Sequence, residues 1–170
     1  MIRRPHDDRD LSRAELELAA LDLLRRPSEW ADLVAPDASG ARTYHRLALD
    51  EHLEAWLICW SAGNDTGFHD HDRSSGAVGV AAGRVREETL VVGGAPAVRE
   101  VVAGGVFSFD ASDIHRVLHL GDEPAVTLHL YSPPLGRMGA YEVRPDGRLA
   151  RRSIAAEEEL VGSGVVLGSA

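Results

Sequence analysis

The chain has 170 residues, 44% hydrophobic and 26% charged, with a formal net charge of −9. That length suits one domain with a substantial core, and a single cysteine, Cys59, excludes a disulfide framework or a Cys-rich zinc module. All 18 basic residues are arginine and no basic cluster forms, so the attraction that nucleic acid requires is missing and small molecules are the expected partners. No apolar run approaches the ~18 to 20 residues that span a membrane. The segment Met1 to Asp8 carries no signal-peptide core, so no membrane partner and a cytoplasmic location are expected.

Ser12 and Glu15 have the spacing of a capping box, and Leu11 and Leu16 sit where a hydrophobic staple would close, which predicts a helix over residues 13–25. Pro27 suits the first turn of a second short helix, with Trp30, Leu33 and Val34 on its inner face, before Pro36 and Gly40 end it. Beyond it the pattern turns to short β-rich stretches between Gly, Pro, Asp and Asn: residues 43–49, 53–61, 76–82, 84–92, 97–102, 105–109, 114–120 and 124–131. About eight strands without intervening helices predict a mainly β antiparallel sandwich or barrel. Cys59, between Ile58 and Trp60, reads as a buried strand position. The segment from Glu157 to Ala170 is expected to be weakly held, with Val165, Val166 and Leu167 docking as an edge segment.

His69 and His71 flank Asp70, and His115 follows in Asp113-Ile114-His115-Arg116-Val117. Residues i and i+2 of a strand share a face, so the first two imidazoles can converge on one ion and the third can join them from a neighbouring strand. Imidazole is a neutral donor suited to Fe, Cu, Ni and Zn, and three protein ligands leave positions open for substrate or gas, as in catalytic sites. Gly63, Gly83 and Gly104 suit turns that bring remote strands together at one mouth of a barrel.

This spacing resembles the two motifs of the cupin barrel family, a jelly-roll fold. Two departures stand out: the first motif's glutamate ligand is replaced by Gly76, and the asparagine after the last ligand by His119. Loss of the acidic ligand leaves a three-histidine site. With the strings Ile58-Cys59-Trp60 and Leu128-His129-Leu130-Tyr131-Ser132-Pro133-Pro134-Leu135, the stretch from Tyr44 to Tyr141 resembles the cysteine dioxygenase family of thiol dioxygenases, in its bacterial form.

The resemblance implies an Fe(II) cofactor held by His69, His71 and His115, and oxidation of a small thiol, L-cysteine, by O2 to the sulfinic acid. It also implies that Arg46 grips the substrate carboxylate, with Tyr44 shaping the same pocket. Relatives that prefer 3-mercaptopropionate tend to carry glutamine in place of that arginine. Thr127, His129 and Tyr131 match the family's relay of hydroxyl, imidazole and phenol, with threonine standing for serine. Animal members join the relay tyrosine to a cysteine; Gly76 occupies that position here, so Tyr131 is expected to be a plain phenol. Ser132-Pro133 resembles the family's cis Ser-Pro bond, while His119 matches no family role and His6, His45 and His52 read as incidental.

The expected organisation is a helical segment over residues 1–40 packed on the barrel, the cupin barrel with its iron site over 41–150, and an edge segment or flexible tail over 151–170. Two other functions stay open. One is a dioxygenase for another thiol, such as 3-mercaptopropionate or a tailoring-pathway thiol. The other is a non-enzymatic or sugar-binding, non-oxidative cupin that uses zinc or nickel as a structural ion or sensor.

Overall fold

A computed structural model describes residues 8–146 and 148–155. Helix α1 spans Arg13–Leu24, and its start follows from local chemistry. Ser12 is the N-cap, the Glu15 carboxylate accepts from the Ser12 N–H at 2.8 Å, and the Ser12 hydroxyl accepts in turn from the Glu15 N–H. Leu16, Ala19, Ala20 and Leu23 are buried at the i, i+3, i+4, i+7 spacing of one helix face, and Leu11 joins the same apolar cluster. Losing the cap in Ser12→Ala is expected to cost about 0.5–2 kcal/mol, read as a lower unfolding midpoint in urea.

After α1 the chain makes two single 3₁₀ turns, Pro27–Glu29 and Ala31–Leu33, where a second short helix was expected. The Trp30 indole N–H donates to the Leu23 carbonyl at 3.0 Å, using an acceptor at the end of α1, and Trp30 and Val34 pack on the core. Leu33 does not join them and is 40% exposed, because each tight turn is too short to hold one continuous inner face.

Eleven strands follow among the described residues. β1 (Thr43–Leu49), β2 (Glu54–Trp60), β4 (Ser75–Ala82), β7 (Val106–Phe109) and β9 (Ala125–Ser132) form one antiparallel sheet in the order β1-β2-β9-β4-β7. The other sheet runs β11-β10-β3-β8-β5-β6, built from β3 (His69–Asp70), β5 (Arg84–Thr89), β6 (Ala97–Val102), β8 (His115–His119), β10 (Arg137–Val143) and β11 (Leu149–Ala155). The eight expected stretches correspond to eight of these strands; the 84–92 stretch stops at Thr89, ahead of the turn through residues 91–94. Strands β3, β10 and β11 were not foreseen. Gly63, Gly83 and Gly104 all take positive φ, and the Ser132-Pro133 bond is cis. The expected docking of Val165 to Leu167 lies outside the described residues.

The first sheet is covered on both faces, so its central strands lack a hydrophobic-polar alternation. Ala55, Leu57 and Cys59 of β2 and Val126, Leu128 and Leu130 of β9 face α1, which lies over β4, β9 and β7. The alternate residues Ile58, Trp60, Val78 and Val80 face inward and meet Val85 and Val117 of the second sheet. Every residue of β9 is buried. Its inward face carries Thr127, His129 and Tyr131, so polar groups occupy the centre of the barrel where burial without a partner is costly.

Candidate metal centre

β3 is only two residues long, yet it sets the site by pairing His69 directly with His115 of β8 while His71 follows at its end. One nitrogen from each of His69, His71 and His115 lies within 4.8 Å of the others, and all three residues are buried. The ring centroids are 4.8 Å apart for His69 with either partner and 5.1 Å apart for His71 and His115. Burial pushes His69 down to about 3, aided by the neighbouring His115, and pushes His71 well below its ordinary value. Both rings are therefore neutral at pH 7, the state in which a ring nitrogen keeps its lone pair for a metal.

The residues fit a metal ion. The Gly67 carbonyl only accepts, so His69 donates through Nδ1 at 3.0 Å and keeps Nε2 as a lone pair. His115 Nδ1 lies 2.6 Å from the Glu87 carboxylate, which leaves Nε2 as the nitrogen free to meet a metal. Among the described residues His115 Nε2 is buried with no hydrogen-bond partner, a costly condition that a bound cation would relieve, and His71 Nδ1 is likewise unpartnered. Asp70, between the two ligand-spaced histidines, faces away. Burial works to raise its pKa, but Arg151, the Tyr141 hydroxyl and the Asp72 N–H hold it below the usual carboxylate range and tie β3 to β10 and β11.

The triad lines a cavity of about 30 Å³ with Tyr44, His129 and Tyr131. On β9, His129 Nδ1 lies 3.1 Å from the Tyr131 oxygen and His129 Nε2 lies 2.9 Å from Thr127 Oγ1. The Trp60 indole, which can only donate, gives its N–H to Thr127 Oγ1 at 2.7 Å. The threonine proton then has His129 Nε2 as its acceptor, which puts the imidazole proton on Nδ1, facing the phenol oxygen. The reverse arrangement strands the threonine proton in the core. Burial, with smaller contributions from His115 and Arg42, pushes His129 down to about 3, so this ring too is neutral.

The two β1 positions part company. Tyr44 lines the cavity, whereas Arg46 is about half exposed, with its guanidinium 3.9 Å from Glu54 and 5.5 Å from the centre of the Trp56 ring. The arginine that lines the cavity is Arg42, stacked over Tyr44 and Trp60 at 5.7 and 5.4 Å. Arg42 shares the period-2 face of Tyr44, a signal present in the sequence but unused. Glu87 was also passed over, although Val85 two residues before it fixes that face of β5 as inward. His119 stands apart from the site; its Nε2 donates to the Glu123 carbonyl at 2.8 Å and secures the turn into β9.

Gly76 pairs with Tyr131 in register, and a Cβ there would lie 2.3 Å from the Phe109 ring. Phe109 in turn stacks on His71, with centroids 4.4 Å apart. The only cysteine, Cys59, is buried on the opposite face of the sheet, among the residues under α1. No thiol therefore reaches Tyr131, and the intact mass is expected to equal that of the unmodified chain. Gly76→Ala is expected to overpack this contact and to cost about 1–3 kcal/mol in a denaturant titration.

A two-sheet barrel with a histidine triad at its inner face defines a cupin able to hold a metal ion. Solved structures agree on the fold. A cupin superfamily protein from Desulfitobacterium hafniense superposes with a TM-score of 0.52 at 13% identity, over 61% of this chain and 87% of its own. A double-stranded β-helix protein from Klebsiella pneumoniae gives 0.52 at 15%, over 71% and 91%. The sequence profile described as Cysteine dioxygenase type I matches residues 13–144, and the chain belongs to the cysteine dioxygenase family. The cysteine dioxygenase type 1 of Homo sapiens is 29% identical over 131 residues, 69% of this chain and 64% of that protein. The match thus spans just under two thirds of the curated relative's length.

Proposed function

We propose that the protein is an iron(II)-dependent dioxygenase that converts L-cysteine and O2 to cysteine sulfinic acid. The observation that carries this reading is the convergence of a buried three-histidine set and a hydrogen-bonded hydroxyl-imidazole-phenol relay on one small cavity. A water needs roughly 10–15 Å³ on the same measure, so the cavity of about 30 Å³ favours a small ligand over a sugar. That size disfavours a sugar-binding cupin, and the relay disfavours one that holds its ion only structurally or as a sensor.

His69, His71 and His115 would hold the iron(II), and as uncharged ligands they would leave its positive charge available to favour a thiolate over a thiol and to supply a place for dioxygen beside the sulfur. Both oxygen atoms pass to sulfur, so R–SH and O2 become R–SO2H with no other reactant. The chain's own residues supply orientation and a proton. His129 donates its Nδ1 proton to the Tyr131 oxygen, which turns the phenol's own proton toward the cavity. There it can hydrogen-bond the negative charge that develops on sulfur or oxygen. The inward Phe109, Ile58 and Val117 side chains keep water from the reacting atoms.

The substrate carboxylate is assigned to Arg46. Its contact with Glu54 is long, at 3.9 Å, and its guanidinium is half exposed, so it can turn from Glu54 to pair bidentately with a substrate carboxylate. Glu54 keeps the Leu135 N–H at 3.0 Å after that exchange. A second reading, a dioxygenase for another small thiol such as 3-mercaptopropionate, draws on the direction in which Arg46 now points.

The test is metal analysis of the purified protein, followed by oxygen-electrode and sulfinate assays on L-cysteine, cysteamine and 3-mercaptopropionate. Iron-dependent O2 uptake with cysteine preferred and one sulfinate formed per O2 is the expected result. Preference for another thiol selects the second reading, and no O2 uptake with any thiol overturns both. Tyr131→Phe and His129→Ala are each expected to lower turnover, or the yield of sulfinate per O2, while leaving iron bound. The double variant should be little worse than either single one, because the two act as one unit. Full coupling in Tyr131→Phe removes the relay from the mechanism.

A further inference from the structure

Glu87 is a buried carboxylate, 2% exposed, that does not line the cavity and so does not touch a substrate there. It stands on β5 diagonal to His115, since Glu87 pairs with Val117 and Thr89 with His115. On the diagonal of an antiparallel pair the two side chains share a face and come within reach. One carboxylate oxygen lies 2.6 Å from His115 Nδ1, and the other accepts from Arg99 Nε, directly opposite on β6. Arg99 is itself fixed, donating to the Ser108 carbonyl at 2.9 Å with its guanidinium 4.8 Å from the centre of the Phe107 ring.

The three imidazoles are not equivalent. His69 donates from Nδ1 to a neutral carbonyl, His71 Nδ1 has no partner, and among the described residues only His115 of the three faces a carboxylate. A surface ion pair with Arg99 would need no inward-turned oxygen; Glu87 has one, seated on the ligand-spaced ring.

We infer that Glu87 is a positioning residue for the metal centre, accepting the Nδ1 proton of His115 so that Nε2 is held toward the triad and strengthened as a donor. A carboxylate polarises the N–H it accepts and raises electron density on the far ring nitrogen, the arrangement that tunes histidine ligands in metal sites. Arg99 holds the carboxylate in register from the solvent side, where water screens its charge more than it screens the buried contact. The Glu88 carboxylate, the next residue, faces the other side of β5 and pairs with Arg116 at 2.8 Å. It is the natural control for charge alone.

This inference rests on the triad binding a metal and not on the identity of the thiol. The metal-free protein is titrated with zinc(II) in competition with a chromophoric chelator, comparing the parent with Glu87→Gln, Glu87→Asp and Glu88→Gln. Glu87→Gln keeps the shape and an acceptor oxygen but removes the charge, and it should weaken zinc binding about 10- to 100-fold. Glu87→Asp, which keeps the charge at shorter reach, should fall between it and the parent. Glu88→Gln should stay within about twofold, because that carboxylate faces away from His115 and pairs with Arg116.

A merely structural role predicts a lower thermal midpoint of the metal-free Glu87→Gln protein with an unchanged zinc Kd, and that pair of results overturns the inference. Nitrogen-15 NMR of the zinc-loaded parent gives a check that needs no variant: His115 must carry its proton on Nδ1, and a spectrum with zinc on that nitrogen also overturns it. A parent that binds no zinc or iron overturns the metal reading together with it.

Discussion

Purified His115→Ala protein is expected to contain almost no iron, where the parent is expected to hold about one ion per chain. Among the described residues His115 supplies one of three nitrogens in this group, which contains no carboxylate to compensate. Removing a partner outside the metal's own ligands already costs roughly 10- to 100-fold in affinity, and loss of a ligand should cost more. The substitution also takes a hydrogen bond from Glu87, which keeps Arg99, so some fall in stability should accompany the loss of metal. Metal analysis by mass spectrometry after anaerobic reconstitution reads the first effect, and a thermal melt of the metal-free proteins separates it from the second. His69→Ala and His71→Ala should behave alike. Full iron loading in a folded His115→Ala protein would remove the triad as the metal site.

Arg46→Gln is expected to lower kcat/KM for cysteine by about 10- to 150-fold, mostly through KM, because a charge-assisted pair contributes about 1.5–3 kcal/mol. Cysteamine, which has no carboxylate, should lose little and so gain in relative preference. The companion variant Arg42→Gln locates the grip, since Arg42 already lines the cavity while Arg46 lies on the same face of β1 but toward Glu54. If selectivity among the thiols is unchanged in Arg46→Gln and lost in Arg42→Gln, the carboxylate belongs to Arg42. An unchanged profile in both would leave the β1 wall without a part in substrate choice.

Most of the barrel was legible because its strands are bounded by local chemistry. Ser12 and Glu15 announce α1, and turn residues separate the eight stretches that became strands. Of the site, the His69 and His71 pair and the Thr127, His129 and Tyr131 alternation were readable from the period of two that any strand imposes. The strands that escaped notice lack such signals. β3 is two residues long, β10 carries Gly139 at its centre, and β11 is a polar edge strand. Their pairing makes sense only in three dimensions. A Cβ at Gly139 would lie 2.6 Å from an Asp70 oxygen and 2.2 Å from Arg151 Nε, so the glycine leaves room for the ion pair that ties β3 to the sheet edge.

The sequence by itself determined which chemistry the chain can carry: three imidazoles, a hydroxyl-imidazole-phenol row, and no cysteine at the position facing Tyr131. Tertiary structure alone decided which charges stand beside that chemistry. Glu87 meets His115 across a strand diagonal at 28 residues' separation, Trp60 caps the relay from a neighbouring strand, and Arg42 lines the cavity beside Tyr44. Each of these depends on register. The face of a strand residue follows from local periodicity, but its neighbour across the sheet is set by where the whole chain's hydrophobic faces close on one another.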